Sequence, residues 1–495
     1  MSVSNQQNRN VPEIINQTTK IIEGLHPSLK ESVQLACGLA KTTQVLNFKR
    51  IKFKELENVR SINAYLILLA PSGAGKDKSL KDLDKYVFNK ILSSIEDAYQ
   101  KIYEDEKQKI KEKYASDLKA RNKELKALRK ITIQTNNATP EGIFLDAHVL
   151  SKQNVGSIFI RISELAYMLA GPEGKKFLKC IFSCYDGDFD AKSIKSADKV
   201  DNITDIPISF LGLSDPSEMA SNLNNTIRPM LEMGLARRAF FAFQPFCTIA
   251  QVNPSEQRQK LQLIYQEAKE LSDRYFEIFE KIEDNSVFNF REDTLDQVIY
   301  PYKNELALKA NAEANSILQK EILSRELKVL NIACLYACIS HPDDKQIYIE
   351  DALMAKDTVE FLSSDITSFL NYKPLKDDEY GKMYSILYCN KGKRFKKTEF
   401  IHKYYKEIGV GRKKLRDNFI NFMAMVSELA HLDGCEVYED YTPYRNTIEI
   451  WLEDKKAEVT AVQNNFSSEM VQSEEQEEQN QQFSEAKELS PSFDL

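Results

Sequence analysis

Gly75-Lys76 is the first place in this chain where residue types and spacing point to a particular chemistry. In LILLAPSGAGKDKSL, residues 66–80, an apolar run ends in small residues and glycines, and a segment able to open a helix follows. A G-x-x-x-x-G-K-[ST] loop cradles phosphates in its backbone N–H groups, sends its lysine to the β- and γ-phosphates, and holds magnesium through the hydroxyl after the lysine. Here Ala70 replaces the first glycine and Asp77 the hydroxyl. The expected nucleotide-binding set is Ser72, Gly73, Ala74, Gly75, Lys76 and Asp77, at a helix N-terminus whose dipole favours anions. The alternative is an ordinary glycine turn.

The next apolar strand, SIFIRI (157–162), ends in Ser163-Glu164. Such a strand usually delivers an acidic residue to magnesium and a glutamate that polarises the attacking water. Glu164 suits the second role, while Ser163 stands where the metal-binding aspartate is expected. The site would keep one carboxylate and one hydroxyl by exchange, with Asp77 and Ser163 as the expected magnesium ligands. A carboxylate about 4 Å from a phosphate charge costs roughly 4 kcal/mol at an effective dielectric of 20, so Asp77 needs a cation beside it or must turn away. Loss of hydrolysis is the alternative for both changes. Further on, the strand in IPISFLGLSDP ends in Ser214-Asp215, where a polar residue, Ser214 above all, is placed to sense a γ-phosphate. GLARRAFFAF then presents Arg237 and Arg238 as catalytic candidates, because a guanidinium stabilises transition-state charge on a neighbour's nucleotide. A surface arginine pair is the bland reading.

These residues must be positioned by a larger frame. The chain has 495 residues, 42% of them hydrophobic and 28% charged, which suits a soluble protein of two or three domains. No apolar run approaches a membrane span, and MSVSNQQNRNVPE has no apolar signal-like core, so the expected setting is a cytoplasm with reduced thiols. Neither the eight cysteines nor the five histidines show metal-ligand spacing. Strands alternating with helical patterns predict an α/β core with a mostly parallel sheet. The expected organisation is an N-terminal helical region at 1–58, a P-loop core at 59–250 with a charged helical insertion at 81–129, and a helical lid at 251–375. A C-terminal module at 376–454 and an acidic, disordered tail at 455–495 complete it. Within the insertion, Ile110, Tyr114, Leu118, Leu125 and Leu128 make the narrow stripe of a helical hairpin or short coiled coil.

Four stretches resemble a family of P-loop ATPases of uncharacterised function found in phage and mobile-element primase-helicase proteins. They are APSGAGKDKS, NNATPEGIF (136–144), SIFIRISELAYML, and the run from YDGDFD through IPISFLGLSDPSEM to GLARRAFF. The likeness covers residues 60–245 and, more weakly, the helices to about 370. It implies a RecA- or AAA-like core that works as a ring, such as a hexamer, and couples hydrolysis of magnesium-bound ATP to movement along nucleic acid. It also implies that Lys76 binds phosphate, Glu164 activates water and Arg238 is the better match to the family's arginine. The short segment before the loop leaves no room for a primase domain, so the chain reads as the helicase-like half.

Residues 391–416, KGKRFKKTEFIHKYYKEIGVGRKKLR, carry eleven Lys or Arg against two Glu. A further helix and two short strands follow, the pattern of a winged helix-turn-helix. The helix starting near Arg412 would enter the major groove. Lys396, Lys397, Arg412, Lys413, Lys414, Arg416 and Arg445 are the candidate DNA contacts, with strongly salt-dependent binding. The alternative is a protein-docking module whose basic face meets an acidic partner. The tail would recruit replication proteins, compete with DNA, or be simply solvated. The combined reading is an ATP-dependent DNA helicase or translocase, against a nucleotide-gated replication initiator that scarcely hydrolyses or a DNA-binding protein with a dead nucleotide site.

Overall fold

The structure is a computed structural model that describes residues 10–136, 139–185, 188–189, 203–204, 206–221, 227–246, 254–372, 379–432, 435–442 and 447–454. The chain divides into two compact units, residues 1–389 and 390–495. The expected tail lies outside the described residues.

The first unit opens with α1 (Glu13–Leu25) and α2 (Glu31–Leu46), the second buried along almost its whole length. Residues 12–58 read as helical, yet β1 (Lys52–Glu55) and β2 (Asn58–Ser61) form an antiparallel hairpin there. Phe53 alone anchors β1 in the core, and its charged neighbours hide the strand period. Next comes β3 (Tyr65–Leu69), every residue buried, then α3 (Lys76–Tyr86). The charged stretch forms α4 (Asn89–Lys113) and α5 (Leu118–Ala127), which touch as a hairpin. No residue of α5 is buried.

The core continues through β4 (Thr135–Asn136), α6 (Pro140–Ser151), β5 (Ile158–Ile162), α7 (Leu165–Ala170) and α8 (Gly174–Tyr185). A two-residue hairpin, β6 (Asp188–Phe189) with β7 (Ile203–Thr204), precedes β8 (Ile208–Ser214), α9 (Pro216–Ser221) and β9 (Ala239–Phe243). Thr139 and Pro140 have a local reason: the Thr139 hydroxyl caps α6 by accepting from Gly142 N–H at 3.1 Å, and proline suits the first helical position.

Five strands make one parallel sheet in the order β4-β5-β8-β3-β9. The strand of this sheet that comes first in the chain, β3, thus lies between the last two, β8 and β9. Strands buried on both faces are continuous apolar runs, which is why YLILL and AFFAF look alike. Strand order reverses beside β3, and open α/β sheets bind ligands outside the carboxyl ends of strands at such a point.

The helical region holds α10 (Pro254–Lys281), β10 (Val287–Phe290), α11 (Tyr300–Ala312), α12 (Ser316–Leu323), α13 (Arg325–Ser340), β11 (Gln346–Ile347), α14 (Ile349–Asn371) and α15 (Glu379–Cys389). Its two short strands join β1 and β2 in a second sheet, ordered β11-β10-β1-β2.

In the second unit, β12 (Phe395–Lys396) leads to α16 (Lys397–Ile408), α17 (Arg412–Asp417) and α18 (Phe419–Leu432), then β13 (Cys435–Thr442) and β14 (Thr447–Asp454). The strands form one antiparallel sheet, β12-β14-β13. Gly409, at φ 82°, ends α16 in the left-handed conformation that glycine adopts without strain. No described helix is long and apolar enough to cross a membrane.

Candidate nucleotide site and basic cluster

The loop from Ala70 to Gly75 leaves the carboxyl end of β3 and starts α3 at Lys76. Gly73 and Gly75 have φ of +86° and +98°, where a side chain would be strained. Ala70 is not among the positive-φ residues and is fully buried, so the first glycine of the usual pattern is not required there. The result is a run of N–H groups at a helix N-terminus, an anion cradle suited to a nucleotide's phosphates. Lys76 is folded onto the loop, its Nζ donating to the Ala70 carbonyl at 2.9 Å.

The connector between α1 and α2 lies against this loop, a neighbour that no motif in the sequence announces. Ser28 Oγ donates to the Ala74 carbonyl at 3.1 Å, and His26 Nε2 meets Asp82 Oδ2 of α3 at 2.8 Å. A Cβ on Gly75 would come within 3.0 Å of His26 Nδ1. Burial lowers the His26 pKa below 6.5, and the Asp82 bond only partly opposes this.

Asp77 has the cation beside it that the Coulomb argument demands, and that cation is Arg161. The Arg161 guanidinium donates to Asp77 Oδ1 at 2.7 Å from the buried strand β5. A second pair lies nearby: Lys41 of α2, 1% exposed, faces Asp84 of α3 at 2.8 Å. Burial lowers the Lys41 pKa and Asp84 opposes the shift. Cys37, whose Sγ lies 3.5 Å from Ser79 Oγ, is fully buried, and that burial pushes its pKa up to about 11, as for a packed thiol.

Ser163 and Glu164 follow β5, and both are exposed. Their turn is tied to β8, because Ser214 Oγ accepts from the Ala166 N–H at 3.4 Å. Ser214, 1% exposed, also accepts from the Ala70 N–H at 3.2 Å through its carbonyl. Asp215 accepts from the Ser72 N–H at 2.9 Å. Thus Ser72–Asp77, Ser163-Glu164 and Ser214 meet at one end of the sheet, whose neighbouring strands carry them.

Arg237 and Arg238 sit just before β9. Gly234, at φ +133°, breaks the preceding helical turn. Arg237 is exposed, while the Arg238 guanidinium stacks over Phe182 at 4.9 Å and Tyr185 at 5.7 Å inside its own chain. Of the two, Arg237 is the one presented outward. The turn is fixed from α13, where Lys328 Nζ donates to the Ala236 and Ala239 carbonyls at 3.2 and 2.9 Å.

The geometry fits a nucleotide's phosphates. At Asp77 one carboxylate oxygen, Oδ1, already faces the Arg161 guanidinium. Among the described residues, no group of three His, Cys, Asp or Glu side chains could hold a metal.

In the second unit Lys396, Arg412, Lys413, Lys414 and Arg416 are exposed, and Lys397 is half-buried with its ammonium over the Phe419 ring at 4.7 Å. Arg445 lies outside the described residues. Inward, Trp451 stacks on Tyr438 at 5.5 Å and takes Arg394 over its ring at 4.1 Å.

No family model matches the chain, and no curated protein matches it. Among solved structures, the ORC1 protein of Aeropyrum pernix in complex with DNA aligns at 14% identity over 87% of this chain and 91% of that one, with a TM-score of 0.19. A score that low carries no argument about this chain, whose reading stands on its own sheet order and site.

Proposed function

We propose that this chain is a P-loop ATPase acting on DNA, with a RecA- or AAA-like core, a helical lid and a C-terminal winged helix, and that it works as a helicase or translocase in replication of a phage or mobile element. One observation carries the nucleotide reading. Lys76 and two left-handed glycines occupy the loop at the carboxyl end of β3, where the order of a parallel sheet reverses. Glu164 at the end of β5 supports a role in orienting water, and the exposed Arg237 supports action on a neighbouring copy in a ring. The DNA reading is supported by four exposed cations on α17 and by the helix, helix and wing order around them.

The Asp77–Arg161 pair favours a second reading, a nucleotide-gated DNA-binding initiator or loader with little hydrolysis. Magnesium-dependent ATPase activity, measured with and without single-stranded DNA and compared with Lys76→Ala, separates the two. Turnover that rises with DNA and vanishes in the variant establishes a motor. Tight nucleotide binding without turnover establishes the gated protein. Absence of nucleotide binding overturns both.

A further inference from the structure

Arg161 lies in the buried interior of β5 and directs its guanidinium at the first turn of α3. Its side chain is 7% exposed, and only its terminal nitrogen meets Asp77, at 2.7 Å. Its Nε has no hydrogen-bond partner among the described residues. Lys41 is the second buried cation under α3, and Asp84 answers it. Asp77 and Asp84 are seven residues apart and share one face of the helix, so each buried cation has a carboxylate from α3. Their settings differ. Asp84 sits well along the helix, while Asp77 stands among the amides that would receive phosphate.

A carboxylate in that place repels phosphate unless a cation intervenes, and in the usual loop the hydroxyl there ligates a divalent ion. In this chain the cation is built into the protein. We infer that Arg161 is a nucleotide-site residue, a fixed cation that neutralises Asp77. A nucleoside di- or triphosphate then binds the loop without a divalent ion bridging it to that carboxylate. The inference rests on the loop being a nucleotide site and assigns what sets the metal dependence of that site.

The test is a fluorescence titration of the full chain with N-methylanthraniloyl-ADP, in magnesium and in EDTA. The wild-type dissociation constants should agree within about threefold, since the pair carries no net charge. In Arg161→Met the stranded carboxylate should weaken binding in EDTA by about tenfold, with magnesium restoring most of it. Adding Asp77→Ser to that variant should recover binding in EDTA. An arginine that merely props up the fold would lower affinity equally in both buffers, with no rescue. Wild-type binding that needs magnesium would overturn the inference while leaving the nucleotide site intact, and so would an Arg161→Met protein with the wild-type metal response. No binding in either buffer would overturn the nucleotide site itself and this inference with it.

Discussion

The Ser72 N–H donates to the Asp215 carboxylate at 2.9 Å, so the glycine loop after β3 is tied to the residue that follows the neighbouring strand β8. The other oxygen of the same carboxylate accepts from the Ser217 N–H, also at 2.9 Å, and starts α9. One side chain therefore fixes two adjacent backbones. It also places a negative charge beside amides that would bind an anion. Asp215→Asn keeps an acceptor and removes that charge, so nucleotide affinity should rise about threefold in a fluorescence titration. Asp215→Ala removes both bonds and should lower stability by about 1 kcal/mol, read from urea denaturation.

Lys328 and Glu321 form a pair at 3.0 Å with side chains 2% and 1% exposed. Burial alone would raise the Glu321 pKa, but the charges of Lys328 and Arg325 more than reverse that and hold it low. Removing the lysine leaves Glu321 held by Arg325 at 2.8 Å and by the Ser363 hydroxyl at 2.9 Å, whereas removing the glutamate strands the buried ammonium. Glu321→Leu should cost about 3–5 kcal/mol in denaturant titrations, and adding Lys328→Met should recover a large part of that loss. A double variant as unstable as the single would show that the lysine's bonds to the Ala236 and Ala239 carbonyls matter more than the pair.

Two histidines should give stability opposite pH limbs. His341 faces Asp351 at 3.0 Å, and that hydrogen bond raises its pKa above 6.5. Its contribution is complete below the unfolded value and is lost as pH rises through the folded one. For His26, burial lowers the pKa, so its contribution is present above the unfolded value and is lost as pH falls through the folded one. Melting temperatures followed across pH should lose the alkaline slope in His341→Gln and the acid slope in His26→Gln.

Lys413 and Lys414 stand side by side on α17, and both are exposed. If they meet phosphates, the double alanine variant should reduce the slope of log K against log salt by about 0.9 for each phosphate it no longer neutralises, over any duplex sequence. An unchanged slope would place DNA elsewhere or remove it from the function.

What the sequence discloses and what it hides follow a physical division. β3, β5 and β8 are legible because full burial leaves mostly apolar runs, and Gly75-Lys76 is legible because a glycine-lysine loop is local in sequence. AFFAF is as apolar as YLILL, but it follows directly on Arg237-Arg238, so its apolar run has no turn signal to mark it as β9. Arg161 is hidden for another reason. Inside SIFIRI it looks like a lone cation interrupting a strand, and its partner is 84 positions earlier. His26 and Ser28 likewise reach the loop from a connector that carries no motif. Pairing across such distances is set by tertiary geometry, which a periodicity cannot report.

The carboxylate of Asp365, 2% exposed, accepts from the Ser32 hydroxyl at 2.6 Å and from the Phe243 N–H at 2.8 Å, and pairs with Lys30 at 2.7 Å. It thereby fastens the start of α2 and the end of β9 with one residue of α14. Ser32 and Asp365 are 333 positions apart. At ribosomal speeds of about 5–20 residues per second, α2 waits roughly 20–70 s for its anchor. During synthesis, then, the carboxyl end of the sheet is locked late, and a nascent chain cut short in the helical region carries the glycine loop without the fastening that steadies its neighbours.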